Sequence, residues 1–167
     1  STGVATSYSR EGAMLWIAQT VPVPVKTQVA ARLLSGYLLV FAGSLLTLLA
    51  TVFLLGFTVP QLIFGMVAGS CAAFPLLAAA LIPDAIRPKR RWNSEAEAMK
   101  QNVNSILAML LCMGLAVAIG LLTLFLQSLM PGWAAGCCVA LVCFALGALL
   151  FSYAVRLSEK MMKTVDG

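Results

Sequence analysis

Two long stretches of apolar residues divide the 167-residue chain. Residues 33–83 and 101–155 contain no Asp, Glu, Lys or Arg, and each stretch is interrupted near its middle by turn residues, at 56–60 and 127–132. A helix needs roughly 20 apolar residues to cross the hydrocarbon core of a membrane, so each stretch is long enough for two spans. The pattern predicts an all-α, integral membrane fold in which four transmembrane helices form two hairpins.

The placement of charge orients these spans. The chain is 61% hydrophobic and 10% charged, with a mean hydropathy of +0.97, whereas soluble domains carry about a quarter charged residues. All eleven Lys and Arg residues lie before residue 33, between the second and third spans, or after residue 155. The positive-inside rule therefore predicts that both termini and the central loop are cytoplasmic. This topology explains the net charge of +5, and we expect no nucleic-acid partner.

These boundaries predict five segments along the chain. They are a cytoplasmic or interfacial elbow segment (1–32), a first transmembrane hairpin (33–82), a cytoplasmic loop and helix start (83–102), a second transmembrane hairpin (103–155) and a cytoplasmic tail (156–167). Residues 1–9 are mostly small and polar and lack the layout of a signal peptide, so we interpret them as the edge of a longer chain.

The elbow segment contains a second apolar pattern. Residues 9–20 are predicted to form a short helix capped by Ser9, which Pro22 and Pro24 end because they force an extended backbone. Two interpretations stay open: an interfacial elbow helix that contacts an ATPase, or an amphipathic anchor before the first span. The candidate elbow residues are Arg10, Glu11 and Trp16, the last of which suits the headgroup region.

The most charged segment, residues 84–104, separates the two apolar stretches and holds eight of the chain's seventeen charges. It starts with a basic turn in which Pro88 stops a helix from continuing. Ser94 and Glu97 then fit a reciprocal capping box, which predicts a helix that begins at about residue 95 and continues into the third span. That helix would be about 32 residues, or roughly 48 Å, long and would project into the cytoplasm.

Short motifs stand at the edges of the apolar stretches. The first set comprises residues 9–12 with Val21 and Pro22, and the second comprises Asp84, Arg87, Pro88, Trp92, Glu97, Ala98, Lys100, Gln101, Asn102 and Asn104. In this order and spacing they resemble permease subunits of bacterial ATP-binding-cassette exporters. Members of that family are much longer, so the chain is similar to their C-terminal membrane portion.

The resemblance implies a function as well as a place in the cell. It implies a membrane-spanning part of an export permease in the bacterial cytoplasmic (inner) membrane, which forms part of the translocation path. The implied partners are a separate cytoplasmic ATP-binding subunit, the remainder of the permease or a second copy, and membrane lipids. Nothing in the sequence resembles a nucleotide-binding site, so the ATPase would be a different chain.

The charged segment is the candidate surface for docking that ATPase. A capped helix start that continues into a span is rigid enough to transmit a movement. The candidate docking residues are Arg87, Trp92, Glu97 and Lys100, with Trp92 as an aromatic anchor and Arg87 as the partner of an acidic residue. In the competing interpretation, the arginines pair with anionic lipid headgroups and Trp92 lies at the membrane interface.

Small residues and proline within the spans predict how the helices pack. Gly65 and Gly69 in the second span, and Gly114 and Ala118 in the third, are each one turn apart and would allow close approach of a neighbouring helix. The neighbour would belong to the same chain or to a second chain. Pro75 lacks a backbone donor and predicts a kink in the second span.

The sequence lacks the residue types on which most catalysis and metal binding depend. It contains no His, all five Cys lie in predicted spans, and no glycine-rich phosphate loop is present, so we expect no enzyme activity, metal site or cofactor. The predicted spans also lack the ionisable group that proton- or sodium-coupled carriers generally need, so energy for transport would come from a partner. The alternative is a structural or scaffold four-span membrane protein with no transport activity of its own.

Overall fold

The computed structural model describes residues 2–11, 20, 22–56, 58–88 and 103–163. All secondary structure in these residues is helical, which confirms the all-α prediction. The helices are α1 (Thr2–Ala5), α2 (Ser7–Glu11), α3 (Val25–Leu55), α4 (Val59–Ile86), α5 (Val103–Leu129) and α6 (Gly132–Lys163). The last four are long and apolar enough to cross a membrane, which is the arrangement of a multi-pass membrane protein.

Turn residues set the boundary between α3 and α4. α3 begins directly after Pro24 and ends at Leu55. Gly56 follows as its cap, with a φ of 65° and a ψ of 34° in the left-handed region that favours glycine. Two residues later the main-chain amide of Thr58 donates to Gln61 Oε1 at 2.9 Å, which is the returning bond of a capping box. The predicted turn therefore joins the first two long helices as a hairpin.

Two helices extend beyond the predicted spans. α4 continues past residue 82 through Pro83 and ends at Ile86, because Pro88 disfavours helical backbone at Arg87, the residue before it. α6 continues without interruption to Lys163, since residues 156–163 contain no Gly or Pro. The described part of the predicted tail is therefore helical.

α4 and α6 form the centre of the bundle. They contact each other more extensively than any other pair, and α3 and α5 flank them, each contacting both. The rings of Phe74 and Phe144 lie with their centroids 6.0 Å apart. Phe74 also covers Gly147, and Phe64 covers Gly136, so closely that an added Cβ at either glycine would overlap the ring. Glycines of α6 thus make room for phenylalanines of α4.

The predicted small-residue stripes do not coincide with these close contacts. A Cβ added at Gly69 or Gly114 would meet nothing within 4 Å, and Ala118 is exposed. At Gly65 the nearest group is the Leu48 side chain, at 3.4 Å. Close intrachain packing at Gly69, Gly114 and Ala118 is therefore wrong for the described part of the chain, because these positions face away from the neighbouring helices. A contact with a second chain stays a prediction.

Pro75 lies inside α4 with its side chain buried, and the helix continues on both sides of it. The kink expected from its missing donor stays a prediction.

The outward faces of the long helices are apolar. In its most apolar 18-residue window, α4 is 28% buried and α6 17%, whereas α3 and α5 have no buried residue there. Leu39 and Phe53 on α3 and Leu124 on α5 are each more than 60% exposed. Such a surface suits contact with lipid tails or with another apolar helix.

Candidate functional site

The N-terminal residues pack against the end of the bundle where α3 and α5 begin and α4 and α6 end, which is termed the Asp84 end. α1 contacts α3, α4 and α5, and α2 contacts α4. Val4, Ala5, Tyr8 and Ser9 are each at most 4% exposed. Residues 2–9, to which the sequence pattern assigns no structure, are therefore part of the packed fold.

Ser9 has a different role from the predicted one. α2 begins at Ser7, so Ser9 lies inside its first turn and not at its cap position, and the Ser9 hydroxyl donates to Asp84. A helix capped by Ser9 is therefore wrong at its start. The rest of that predicted helix, residues 12–19 with Trp16, lies outside the described residues.

A fully buried carboxylate joins the N-terminal helices to the bundle. Asp84 Oδ2 accepts hydrogen bonds from the main-chain amides of Tyr8, at 2.7 Å, and Ser9, at 2.9 Å. Asp84 Oδ1 accepts from the Ser9 hydroxyl and, at 3.1 Å, from Asn104 Nδ2. The two amides are the second and third of α2, which a capping side chain normally satisfies. Asp84 thus caps α2 from another helix, and its four donors offset part of the cost of removing the carboxylate from water.

Asn104 joins α5 to the same point. Its Nδ2 donates to Asp84 and also, at 2.6 Å, to the main-chain oxygen of Arg87, which directly follows α4. Carbonyl groups at the end of a helix lack partners inside it, so this bond satisfies one of them. The buried residues of α5 are Asn104 and Ala108, one turn apart. The inward contacts of α5 therefore concentrate at the Asp84 end.

Tyr8 extends these contacts to α6 and α3. Its hydroxyl donates to Ser158 Oγ at 2.6 Å, and Ser158 donates to the Ala154 carbonyl at 2.8 Å. The Arg32 guanidinium lies over the Tyr8 ring, 4.2 Å from its centroid, in a cation–π position. Burial raises the pKa of the Tyr8 phenol, so the group is neutral and can donate at neutral pH. The Asp84 cluster consists of Tyr8, Ser9, Arg32, Asp84, Asn104 and Ser158.

An ion pair borders the Asp84 cluster beside α3. Glu11 Oε1 lies 2.5 Å from a terminal nitrogen of Arg32. The other Glu11 oxygen, the Arg32 Nε and the Ser7 hydroxyl are buried without a hydrogen-bond partner among the described residues. The contact between the N-terminal segment and the bundle is therefore well paired at Asp84 and poorly paired at its edge.

The residues predicted to form the elbow and the docking surface fall in different places. Arg10 and Arg87 are exposed at the Asp84 end, and Glu11 is paired with Arg32. The residues outside the described part of the chain are Trp16, Trp92, Glu97 and Lys100, and their roles stay predictions.

Neither the hydrophobic pattern nor the charge pattern of the sequence indicates that the residues of the Asp84 cluster lie together. Ser9, Asp84 and Asn104 all belong to the motif sets, and that shared membership was the available signal. Asp84 lies two residues beyond the second predicted span, so the prediction that the spans lack an ionisable group stays a prediction, but this carboxylate is buried in the last turn of α4. However, this carboxylate accepts from two main-chain amides of α2, which cannot leave without moving that helix. The geometry therefore suits a structural acceptor better than an ion carrier.

The outward charge at the Asp84 end is basic. Two carboxylates, Asp84 and Glu11, bond to other groups of the protein, which leaves Glu159 as the exposed acidic side chain among the described residues. The exposed basic residues include Lys26, Arg10, Arg87 and Arg156. This end therefore suits an anionic surface, either of a lipid leaflet or of a protein.

Two crevices among the described residues are lined mainly by apolar side chains. A crevice of about 280 Å³ lies among α3, α4 and α6 at Leu33, Tyr37 and Leu77, and one of about 440 Å³ lies between α4 and α6 at Phe64 and Gly136. Neither is lined by a charged side chain. Within the described ranges, no three His, Cys, Asp or Glu residues are grouped as a metal site would require. The Asp84 cluster is therefore the candidate functional site.

Comparison with known proteins finds no family model, curated protein or solved structure that matches this chain.

Proposed function

We propose that the chain is a membrane-spanning part of an ATP-binding-cassette export permease that forms part of the translocation path. The supporting observation is the meeting of the two motif sets in space. Ser9 belongs to the first set and Asp84 to the second, 75 positions away, and both bond within one buried cluster with Asn104. Because residues of both sets bond within one buried cluster, the two sets belong to one structural unit. This supports a family relationship, and not coincidence, as the reason for the resemblance.

A separate cytoplasmic ATPase would act at the Asp84 end. The Asp84 cluster connects α2, α4, α5 and α6, so a force applied to α2 or to the segment after α4 reaches several long helices together. Arg10 and Arg87 are exposed at this end and can donate to acidic residues of a partner. The remainder of the permease, or a second copy, would cover the apolar outer faces of α3 and α5.

The membrane in this proposal is the bacterial inner membrane, with both termini cytoplasmic. Its support is the segregation of basic residues, all of which lie before α3 enters the membrane, between α4 and α5, or near the end of α6. The turns at the opposite end, at 56–60 and 127–132, contain none.

Copurification of the full-length protein with its ATPase tests the proposal. We expect Arg10→Ala with Arg87→Ala to reduce the recovered ATPase at least tenfold at matched membrane expression, since central interface arginines commonly contribute 2 kcal/mol or more. Arg156→Ala removes an exposed arginine of α6 outside both motif sets and should retain the ATPase. Full retention in the double variant would contradict docking by these residues. If no ATPase accompanies the unaltered protein, the structural or scaffold alternative is favoured.

A further inference from the structure

The crevice of about 280 Å³ among α3, α4 and α6 runs inward from the surface of the bundle and is termed the lateral crevice. It extends from Leu34 of α3, which is 58% exposed, to Leu77 of α4, which is 3% exposed. Tyr37 of α3 and Phe151 of α6 also line it, and none of its lining residues is charged. The lateral crevice therefore opens on the outside of the bundle and has an apolar interior.

The level of the lateral crevice along the bundle places it beside lipid. Leu33, which lines it, is the first residue of the uncharged stretch 33–83 that contains the first two spans. An opening at this level faces hydrocarbon, close to the headgroups of the leaflet that borders the Asp84 end. Water does not readily fill an apolar space, whereas an acyl chain buries its own apolar area there. The lateral crevice therefore suits the tail of a lipid.

A lysine lies at the polar edge of the lateral crevice on α3. Positions 26, 30, 33, 34 and 37 share one face of the helix, and the last four of them line the crevice. Lys26 is exposed and precedes Leu33 by seven residues, so it lies roughly 11 Å closer to the Asp84 end at about 1.5 Å per residue. Lys26 is therefore at headgroup level on the crevice side of α3.

An acidic residue lies at the matching level on α6. Glu159 is exposed and follows Phe151 by eight residues, a spacing that belongs to one stripe of a helix. α6 ends where α3 begins, at the Asp84 end, so Glu159 lies roughly 12 Å beyond Phe151 in the same direction as Lys26. The mouth of the lateral crevice is therefore flanked by one basic and one acidic residue.

This pair of charges favours one class of phospholipid. A phosphoethanolamine headgroup carries an anionic phosphate and a cationic ammonium group, and each finds a partner of opposite charge at the mouth. A phosphoglycerol headgroup has only the negative charge, so it pairs with Lys26 but leaves the Glu159 carboxylate without a cation. Charge complementarity therefore distinguishes the two headgroups.

We propose that the lateral crevice binds one phosphatidylethanolamine molecule, with an acyl chain against Leu77, the phosphate at Lys26 and the ammonium group at Glu159. This lipid would occupy the leaflet that borders the Asp84 end. The proposal requires only that the long helices span a membrane, so it does not depend on an ATPase or on transport.

The test counts the lipids that stay bound to the full-length protein. The protein is placed in nanodiscs with equal amounts of phosphatidylethanolamine and phosphatidylglycerol and extracted into mild detergent, and the retained lipids are identified by native mass spectrometry. We expect one retained phosphatidylethanolamine in the unaltered protein. Ala30→Trp places an indole in the crevice and should reduce this species by about tenfold, because it takes the space of the acyl chain.

Ala31→Trp is the matched control, since Ala31 is exposed at the same level of α3 but does not line the crevice. It should retain the lipid. Equal retention by the two tryptophan variants, or equal loss, would overturn the proposal, because the lipid would then lie elsewhere on the protein. Absence of a retained phosphatidylethanolamine in the unaltered protein would also overturn it.

The headgroup contacts are tested separately with substitutions at exposed positions. Glu159→Gln should lower the ratio of retained phosphatidylethanolamine to phosphatidylglycerol by about tenfold, the usual effect of losing a hydrogen bond to a charged group. Lys26→Gln should reduce retention of both lipids, because both carry the phosphate. Arg156→Gln removes a positive charge from α6 outside the crevice and should retain the lipid. An unchanged ratio in Glu159→Gln would overturn the proposed headgroup, even if a tryptophan variant failed to fold.

Discussion

The Asp84 carboxylate lies 2.9 Å from the main-chain nitrogen of Ser9, 75 positions earlier in the chain, and also accepts a hydrogen bond from the Ser9 hydroxyl. One residue is in the last turn of α4 and the other in the first turn of α2. Because two main-chain amides of α2 point at one carboxylate, both the position and the direction of that short helix are defined. The N-terminal segment is therefore oriented by a specific polar contact as well as by the apolar packing of Val4 and Tyr8 in the main buried cluster.

The docked position of α1 predicts an efficient disulfide between Val4→Cys and Gly36→Cys. The Val4 Cβ lies 3.6 Å from the position that a Cβ at Gly36 would occupy, within the range of natural disulfides. Replacing Val4 also removes the methyl group that would overlap a side chain at position 36. Oxidation in membranes without the native cysteines should shift the protein on a non-reducing gel after proteolysis between the two positions.

The matched control pairs Val4→Cys with Gly43→Cys, two turns further along α3. A Cβ at Gly43 meets nothing within 4 Å, so this pair should stay reduced under the same oxidation. Similar yields for the two pairs would show that α1 does not occupy the position beside Gly36.

The hydrogen bond of the Tyr8 hydroxyl should make a small and specific contribution to holding the N-terminal segment against the bundle. Tyr8→Phe removes the 2.6 Å bond to Ser158 but keeps the ring that Arg32 covers. A single neutral hydrogen bond contributes about 1 kcal/mol, so the undocked fraction should rise about fivefold. In protein without its native cysteines, Ala108→Cys places a thiol at a buried position beside Ala5, and its rate of reaction with N-ethylmaleimide reports this change when undocking of the N-terminal segment is fast and reversible.

Tyr153→Phe provides the control, since Tyr153 belongs to α6 but is 49% exposed. The same loss of a hydroxyl there should not alter the rate. If the two variants behave alike, the bond between Tyr8 and Ser158 does not contribute to docking.

The long helices could be predicted from the sequence because the signal for a membrane span is local. A run of about 20 apolar residues without charge needs no knowledge of its neighbours, and the turns at Gly56 and Pro131 interrupt such runs visibly. The length of α6 beyond residue 155 could not be predicted in this way, because charged residues mark the edge of a span but do not end a helix.

The Asp84 cluster could not be predicted from local pattern, because it depends on contacts between distant positions. Residues 2–9 have no helical periodicity, and they pack through distant partners: Asp84 accepts from two of their amides, and Val4 and Tyr8 lie in the main buried apolar cluster. The prediction of close intrachain packing at Gly69 and Gly114 was wrong for a similar reason. Spacing identifies Gly69 and Gly114 as one face of a helix, but it does not say which face meets a neighbour.

The proposed topology predicts opposite labelling at the two ends of the bundle. In cells that produce the full-length protein without native cysteines, Ser94→Cys should not react with a membrane-impermeant maleimide until the cells are permeabilised. Ser128→Cys makes the same substitution near the opposite turn and should react in intact cells, because Ser128 is exposed at the far end of α5. Reaction of Ser94→Cys in intact cells would contradict a cytoplasmic Asp84 end.

The contact between Phe74 and Gly147 predicts which glycine the bundle requires. A Cβ at Gly147 would overlap the Phe74 ring, so Gly147→Ala should lower the free energy of unfolding by about 1–3 kcal/mol, the usual cost of overpacking. Gly69→Ala adds the same methyl group where nothing lies within 4 Å and should change stability little, apart from a small gain in helix propensity.

Thermal unfolding in detergent compares these two glycine variants. Adding Phe74→Leu to Gly147→Ala should recover part of the lost stability, because a smaller side chain leaves room for the new methyl group and the two substitutions are therefore not additive. If Gly69→Ala destabilises the protein as much as Gly147→Ala does, a helix must pack tightly against the face of α4 that carries Gly69, where this structure has no neighbour within 4 Å. Such a result would indicate a second chain, or a further part of the same protein, packed against Gly69.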